Sequence, residues 1–271
     1  MFIFDTLLNR LQRGCQTMSY PDGPPPALPD RHGGALRVDT GKCPDDCSAC
    51  VPVCPTRAIS RPSKGSVELD LGKCVFCAAC VDACPTKAIT QTNDYRMAVS
   101  DRHDLLLGPE GKTELRLAHA FDEELRKLFG RSLRLRQVSA GGCNACEADT
   151  NVLGTIGWDL GRFGIQFVAS PRHADGLLIT GPVSNNMELA LRKTYDAVPE
   201  PKIVIAVGGC AIAGGPFINH RQHKNGAAAV VPVDLFVPGC PPHPLTILDG
   251  LLRLMGRLQS DRPAVRRTPE C

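Results

Sequence analysis

Gly72-Lys-Cys-Val-Phe-Cys-Ala-Ala-Cys-Val-Asp-Ala-Cys-Pro-Thr-Lys-Ala-Ile-Thr90 decides how the N-terminal part of the chain folds, because it occurs twice. The earlier copy opens Gly41-Lys-Cys43 and closes Cys54-Pro-Thr-Arg-Ala-Ile-Ser60, so that Cys54 and Cys84, like Ile59 and Ile89, stand 30 residues apart. A unit of that length is too short to support its own core, so each copy needs its twin and a bound metal. The later copy spaces its thiols Cys74-x2-Cys77-x2-Cys80-x3-Cys84-Pro85. Two-residue gaps wrap one loop around a single object. The three-residue gap and the proline then turn the chain away, sending the fourth thiol to a neighbouring object.

The compartment decides what fourteen cysteines are for. Met1-Phe-Ile-Phe-Asp-Thr-Leu-Leu-Asn-Arg10 puts Asp5 inside its apolar stretch and lacks a basic leader and a small-residue cleavage site, unlike a secretory signal. No run reaches the roughly 18 apolar residues of a spanning helix. A reducing cytosol is therefore expected, where clustered cysteines bind metal more often than they pair. In the 271-residue chain, 43% apolar residues argue for packed cores, and 22% charged residues are ordinary. A formal net charge of +3, without a Lys/Arg run, gives no reason to expect nucleic acid as a partner.

Two [4Fe–4S] clusters explain the repeat. By reach, Cys74, Cys77, Cys80 and Cys54 hold one, and Cys43, Cys47, Cys50 and Cys84 the other. The first copy carries an extra residue, Cys43-Pro-Asp-Asp-Cys47, which a bulged loop absorbs, and Asp45 and Asp46 would lower that cluster's potential. Zinc is the competing reading of CxxC pairs, but it requires neither the crossed fourth cysteine nor a Cys-Pro in both copies. The segment from about 40 to 92 resembles bacterial two-cluster ferredoxins.

Around this module the chain divides into five parts. Residues 1–34 hold an amphipathic helix, with Phe4, Leu7, Leu8 and Leu11 opposite Arg10 and Arg13, and a Pro/Gly-rich linker. The helix reads either as docked on the protein body or a partner, or as an in-plane membrane-surface anchor. Residues 35–95 are the two-cluster ferredoxin domain. Residues 96–132 connect, with one helix expected to present Leu117, Phe121, Leu125 and Leu128 and to stop at Gly130. In 133–259, strands Leu133–Val138, Ile165–Val168, Gly176–Thr180, Lys202–Val207 and Pro232–Val237 alternate with helices near 146–158, 185–197 and 244–258. That alternation predicts an α/β fold with a parallel sheet. Residues 260–271 are a polar tail.

Each remaining ligand-type cysteine follows an expected strand: Gly-Gly-Cys143-Asn-Ala-Cys146-Glu147, Gly208-Gly-Cys210 and Pro238-Gly-Cys240-Pro-Pro242. Open α/β sheets assemble sites at those carboxyl ends. A third cubane at Cys143, Cys146, Cys210 and Cys240 is the expectation, with zinc or buried thiols as the alternatives on spacing alone. Cys15 and Cys271 stand outside every ligand spacing and read as plain thiols; His220, His223 and His243 show no metal spacing.

Those motifs, with Arg162-Phe-Gly-Ile165, Ser170-Pro-Arg-His-Ala-Asp175, Thr180-Gly-Pro-Val183 and Val237-Pro-Gly-Cys240, make residues 133–258 similar to the small-subunit family shared by respiratory complex I and energy-conserving membrane-bound [NiFe] hydrogenases. The resemblance implies a flavodoxin-like fold holding one [4Fe–4S] cluster beside a large subunit, which carries [NiFe] in hydrogenases and helps form the quinone site in complex I. It also implies an electron donor or acceptor protein, membrane subunits, and a cytoplasmic, peripheral place on the inner face of the cell membrane. Complex I small subunits have adjacent Cys-Cys ligands, whereas Cys143-x2-Cys146-Glu147 is similar to the hydrogenase, formate hydrogenlyase-type pattern. Against that branch, familiar assemblies usually keep the ferredoxin module on a separate subunit. By the same resemblance Glu147 relays protons, although a first-turn carboxylate favoured by the helix dipole is the bland alternative. Arg172 and His173 either tune the third cluster or sit on a plain surface loop, and Arg162 reads as structural. A zinc-binding scaffold is the reading outside redox chemistry.

Overall fold

The computed structural model describes residues 2–62, 66–108 and 114–258. The polar tail at 260–271, with Cys271, lies outside the described residues. In chain order the strands are β1 Leu36–Val38, β2 Ile59–Ser60, β3 Glu68–Asp70, β4 Ile89–Gln91, β5 Leu106–Leu107, β6 Leu133–Ser139, β7 Ile165–Phe167, β8 Gly176–Thr180, β9 Ile203–Val207 and β10 Leu235–Val237. The α-helices are α1 Phe2–Arg13, α2 Ala79–Asp82, α3 Glu123–Phe129, α4 Ala145–Val152, α5 Asn185–Ala197, α6 Gly209–Ala213 and α7 Pro244–Leu254.

Strands β6 to β10 form one parallel sheet ordered β10-β9-β8-β6-β7. Numbered from its own first strand this is 2-1-3-4-5, the flavodoxin-like order, whose switch point falls between β6 and β8. Ile203-Val-Ile-Ala-Val207 and Gly176-Leu-Leu-Ile-Thr180 are buried at every position, as strands covered on both faces must be. Alternation divides their side chains between two cores. Leu178, Ile205, Val207, Leu235 and Val237 pack with α7, Leu153 and Phe129. Leu177, Ile179, Val204, Ala206 and Phe236 face the other way and pack with Leu191 of α5 in a core continuous with Leu36, Ile59, Leu69 and Ile89. The repeat module thus shares one apolar core with this side of the large sheet, where α6 packs on β8, β9 and β10.

Within that module β1 pairs antiparallel with β4, and β2, β3 and β5 form a second antiparallel sheet, giving a small α+β unit ahead of the α/β one. Strand β5 comes from the segment read as a connection. The same segment bridges to the large sheet through paired hydrogen bonds between Val99 and Phe236. The helix expected there is shorter than its apolar spacing suggests. Asp122 caps it by accepting from the Leu125 N–H at 2.9 Å, so it starts at Glu123. Leu117 and Phe121 lie before it, where Ala118 and Phe121 donate their N–H groups to Ala98 and Leu254. Gly130 ends it as expected. Helix α4 also stops early, at Val152, and turns containing Gly154 and Gly157 carry the chain to Trp158.

The linker after α1 is tied to the α/β unit. Met18 donates its N–H to Gly157, the Arg162 guanidinium donates to the Met18 and Tyr20 carbonyls at 2.6 Å each, and the Tyr20 hydroxyl donates to Asp249 at 3.0 Å. Arg162 is therefore structural. Asp249 and Arg253 form an ion pair on α7 at 1% and 5% exposure, with Arg253 Nε 2.7 Å from Asp249 Oδ2. Burying charge is costly unless each group is saturated with partners, and Tyr20 supplies one. Replacing Tyr20 by Phe removes a hydrogen bond to a buried carboxylate and is expected to cost about 1.5–3 kcal/mol. A urea unfolding midpoint equal to that of the unaltered chain, measured anaerobically by circular dichroism, would contradict this.

Candidate metal centres

Cys43, Cys47, Cys50 and Cys84 line one small cavity, walled also by Pro44, Val67, Pro85 and Ile89. Cys54, Cys74, Cys77 and Cys80 line a second with Leu36, Ile59 and Leu69. Each cavity therefore takes its fourth thiol from the other copy of the repeat.

Local geometry repeats with the sequence. Arg57 and Lys87, three residues after Cys54 and Cys84, have φ of +52° each, and the next N–H groups, of Ala58 and Ala88, donate to the sulfurs of Cys54 and Cys84 at 3.2 Å. Phe76 N–H donates to the Cys74 sulfur at 3.2 Å. Each copy also opens on an Asx turn. Asp39 accepts from Gly41 N–H at 3.1 Å and Asp70 from Gly72 N–H at 2.9 Å, and Asp70 further pairs with Arg102 at 2.7 Å.

The thiols disturb one another as grouped neighbours do. Burial pushes Cys74 up to about 12, helped by Cys80, Cys54 and Cys77. Burial, with Cys54 and Cys77, pushes Cys80 up to about 11. Cys50 is raised by burial and, more weakly, by Cys43, Cys84 and Cys47. Burial also acts upward on Cys84, but the N–H of Ile89, the Thr86 hydroxyl and the N–H of Ala88 outweigh it, so this thiol is lowered.

The third group gathers at the carboxyl ends of β6, β9 and β10. Burial raises Cys146, with Cys210, Glu147, Cys240 and Cys143 contributing, and burial with Cys240 and Cys143 pushes Cys210 up to about 11. Cys143 and Cys240 are exposed, so this site opens at the surface. Gly208 has φ of +92°, and a Cβ there would lie 2.5 Å from the Cys146 sulfur. At Gly209 a Cβ would lie 3.2 Å from the Cys74 carbonyl oxygen and 3.6 Å from that of Gly72. The second site's ligand loop thus rests on the residue before Cys210.

Glu147 is buried beside this group, its Oε1 accepting from Ser139 Oγ at 2.6 Å and Thr180 Oγ1 at 2.7 Å, in the wall of a cleft shared with Arg136, Asn144 and Asn151. Arg172 and His173 lie exposed on the turn after β7 and make no side-chain hydrogen bond or ion pair among the described residues. The rings of His220 and His223 lie tilted with centroids 5.5 Å apart, and that of Phe217 is 5.0 Å from His223. Cys15, read as a plain thiol, is disulfide-bonded; spacing along the chain looks for ligand partners and does not see a pairing made in space. Among the described residues, no three His, Cys, Asp or Glu side chains converge to hold a single metal ion. In the two repeat sites, four soft donors around one pocket with N–H groups aimed at sulfur fit an iron–sulfur cubane. The residues that sequence reasoning missed, Asp39, Asp70, Thr86 and Arg102, are mostly visible in the repeat: Asp-x-Gly-Lys-Cys and Cys-Pro-Thr occur in both copies.

Residues 143–254 match the family described as NADH ubiquinone oxidoreductase, 20 Kd subunit, and residues 42–88 match the 4Fe-4S dicluster domain. A "Probable membrane-bound hydrogenase subunit" of Pyrococcus furiosus is 42% identical over 135 residues, covering 50% of this chain and 81% of the relative. An NADH-quinone oxidoreductase subunit of Bacteroides thetaiotaomicron is 38% identical over 136 residues, covering 49% and 68%. Among solved structures, a chain of the archaeal membrane-bound sulfane sulfur reductase aligns at 33% identity with a TM-score of 0.44, covering 50% of this chain and 75% of that one. One of an NAD+-reducing [NiFe]-hydrogenase aligns at 24% with a TM-score of 0.38, covering 49% and 96%. The chain belongs to the small-subunit family shared by hydrogenases and complex I, fused to a 4Fe–4S ferredoxin-like domain.

The raised thiols give the metal-free chain a pH dependence. Unfolded thiols titrate from about 9, while folded Cys74, Cys80 and Cys210 keep their protons to about 11 or 12. Between those limits the unfolded state binds fewer protons, so stability present below pH 9 is lost as pH rises. The urea midpoint of the metal-free chain is expected to fall between pH 8 and pH 11, and to fall less in Cys74→Ala. Equal slopes for the two proteins would refute the assignment to these thiols.

Proposed function

We propose that this chain is the iron–sulfur electron-transfer subunit of a multisubunit, membrane-associated [NiFe] hydrogenase of the formate hydrogenlyase type. Cys43, Cys47, Cys50 and Cys84 hold the first of three [4Fe–4S] clusters, Cys74, Cys77, Cys80 and Cys54 the second, and Cys143, Cys146, Cys210 and Cys240 the third. Bound there, the clusters supply one-electron transfer between an external donor protein and a large subunit whose own cofactor does the chemistry. The observation that carries this reading is the sorting of twelve thiols into three groups of four, two of them each lining one pocket. The contact of the Gly72–Cys74 loop with Gly209 supports an order in which the first group is outermost and the second lies next to the third.

The Cys143-x2-Cys146-Glu147 spacing and the higher identity to the hydrogenase relative favour the hydrogenase branch. A complex I-like subunit delivering electrons towards quinone is the second reading, supported by the NADH-quinone oxidoreductase relative. In the first, Glu147 relays protons, which its burial and its two hydroxyl donors support. Arg172 and His173, after the carboxyl end of β7 at the same end of the sheet, are assigned the electrostatic tuning of the third cluster. The exposed mouth at Cys143 and Cys240 faces the large subunit. Among the described residues no helix is long and apolar enough to cross a membrane, which suits a peripheral subunit held on the inner membrane face by membrane partners.

Metal analysis of the native complex, isolated anaerobically on a tag on this chain, tests the reading. About twelve irons from this subunit follow from three [4Fe–4S] clusters, and further iron with about one nickel per complex is expected of a [NiFe] large subunit. Iron near twelve with an intact large subunit and no nickel selects the quinone branch. Equimolar zinc without acid-labile sulfide would end both. In a separate test, Cys240→Ser is expected to abolish one paramagnetic signal and leave two; persistence of all three would overturn the ligand assignment.

A further inference from the structure

The bulge in the first ligand loop is spanned by one side chain. Arg61 donates through Nη1 to the carbonyl of Cys47 and through Nη2 to that of Pro44, the latter at 2.8 Å. These carbonyls flank Asp45 and Asp46, the span in which the first copy is one residue longer than the second. A planar guanidinium is suited to this work, since its fixed fork can bind two acceptors at once and stays charged throughout the working pH range. The position 30 residues on, which lies in register with Arg61 through the Cys54–Cys84 offset, is Gln91. Its amide nitrogen is buried and has no hydrogen-bond partner, and among the described residues the second copy's loop, without an insertion, has no such clamp. Clamp and insertion therefore occur together in one copy and are both lacking in the other.

We propose that Arg61 is the positioning residue of the first site. It fixes the bulged Cys43–Cys47 loop so that both thiols reach one cluster, and its charge opposes Asp45 and Asp46 to hold that cluster's potential up. The inference rests on the three-cluster reading of the thiols. Reduction adds negative charge to a cluster, so a nearby cation stabilises the reduced form, and net charge is an established lever on such potentials. A neutral loop clamp would fix geometry without this bias.

The test is a redox titration of the full chain followed by electron paramagnetic resonance, with the first-site signal identified by its loss in Cys47→Ser. Arg61→Gln, which installs the residue of the second copy, is expected to shift the first site's reduced-to-oxidised ratio at fixed potential several-fold toward oxidised. A tenfold shift corresponds to about 59 mV for one electron. The second-site signal should stay in place. Arg61→Lys keeps the charge but not the two-carbonyl fork. It is expected to retain the potential while losing first-site iron to a chelator several-fold faster than the unaltered chain. An unchanged potential in Arg61→Gln overturns the electrostatic part, and unchanged iron retention in both variants overturns the positioning part. If Arg61→Gln fails to fold, Arg61→Lys carries the test alone: a displaced first-site potential, or iron retained as well as in the unaltered chain, counts against the proposal. Absence of both ferredoxin-site signals from the unaltered chain would instead remove the cluster reading, a result distinct from either failure.

Discussion

The Gly72–Cys74 backbone lies against Gly209, and much of the architecture follows from keeping that approach close. Two ligand loops meet there main chain to main chain, and the Gly209 N–H donates to the Gly239 carbonyl at 2.9 Å, so a third loop, leading to Cys240, arrives at the same point. A side chain at 209 would push the Cys74 carbonyl away and separate the two groups of thiols. The apolar core shared by the repeat module and one face of the sheet holds the two surfaces together over a wide area. The Val99–Phe236 bridge pins the connecting segment to the edge strand β10. Electron transfer demands short, fixed separations more than strong chemistry, and a continuous core provides rigidity of that kind.

Thiols gathered for a cluster repel one another once ionised, and burial penalises each ionisation further. Cys74, Cys80 and Cys210 are all displaced upward on both counts. The compensating groups are main-chain N–H donors, placed by left-handed residues at Arg57, Lys87 and Phe76 that cost local strain of order 1–2 kcal/mol each. Strain of this sort persists only where its surroundings hold it, and here it clusters at the ligand loops. Where the donors are plentiful, as at Cys84, the balance reverses and the thiol is lowered.

Strands β8, β9 and β10 were legible because they are short apolar runs buried at every position, while β6 showed itself by alternation, with Leu133, Leu135 and Val138 buried between polar residues. Helix α5 was equally plain. Errors fell where local signals were outbid by tertiary bonds. Leu117 and Phe121 carry helical spacing, yet their stretch is engaged by Ala98 and Leu254, and Asp122 starts the helix later. The bonds that tie the linker down, from Arg162, Asp249 and Gly157, come from parts of the chain that no spacing joins to it. Among site residues, the cysteines announced themselves, and Asp39, Asp70 and the Cys-Pro-Thr threonines were present in the repeat without being weighed. Arg61 was not legible in that way, because it is a departure from the repeat and its meaning depends on seeing which carbonyls it reaches.

Fusion of the two modules in one chain changes what their interface must do. Separate subunits need a contact strong enough to offset the loss of translational and rotational freedom, several kcal/mol at least. Modules joined by a connection of some forty residues meet at a high effective concentration, so the contact is released from supplying affinity and can be selected for geometry. The features at this junction fit that division. Small residues and main-chain atoms, Gly209, Gly239 and the Gly72–Cys74 carbonyls, meet at its centre, while apolar burial is spread through the shared core rather than concentrated in large anchoring side chains. An interface that has to assemble from free partners is dominated by a few buried aromatic or arginine side chains, whereas here the Gly209 main chain faces the Gly72 and Cys74 carbonyls directly. The junction therefore has the character of a folded interior rather than of a docking surface.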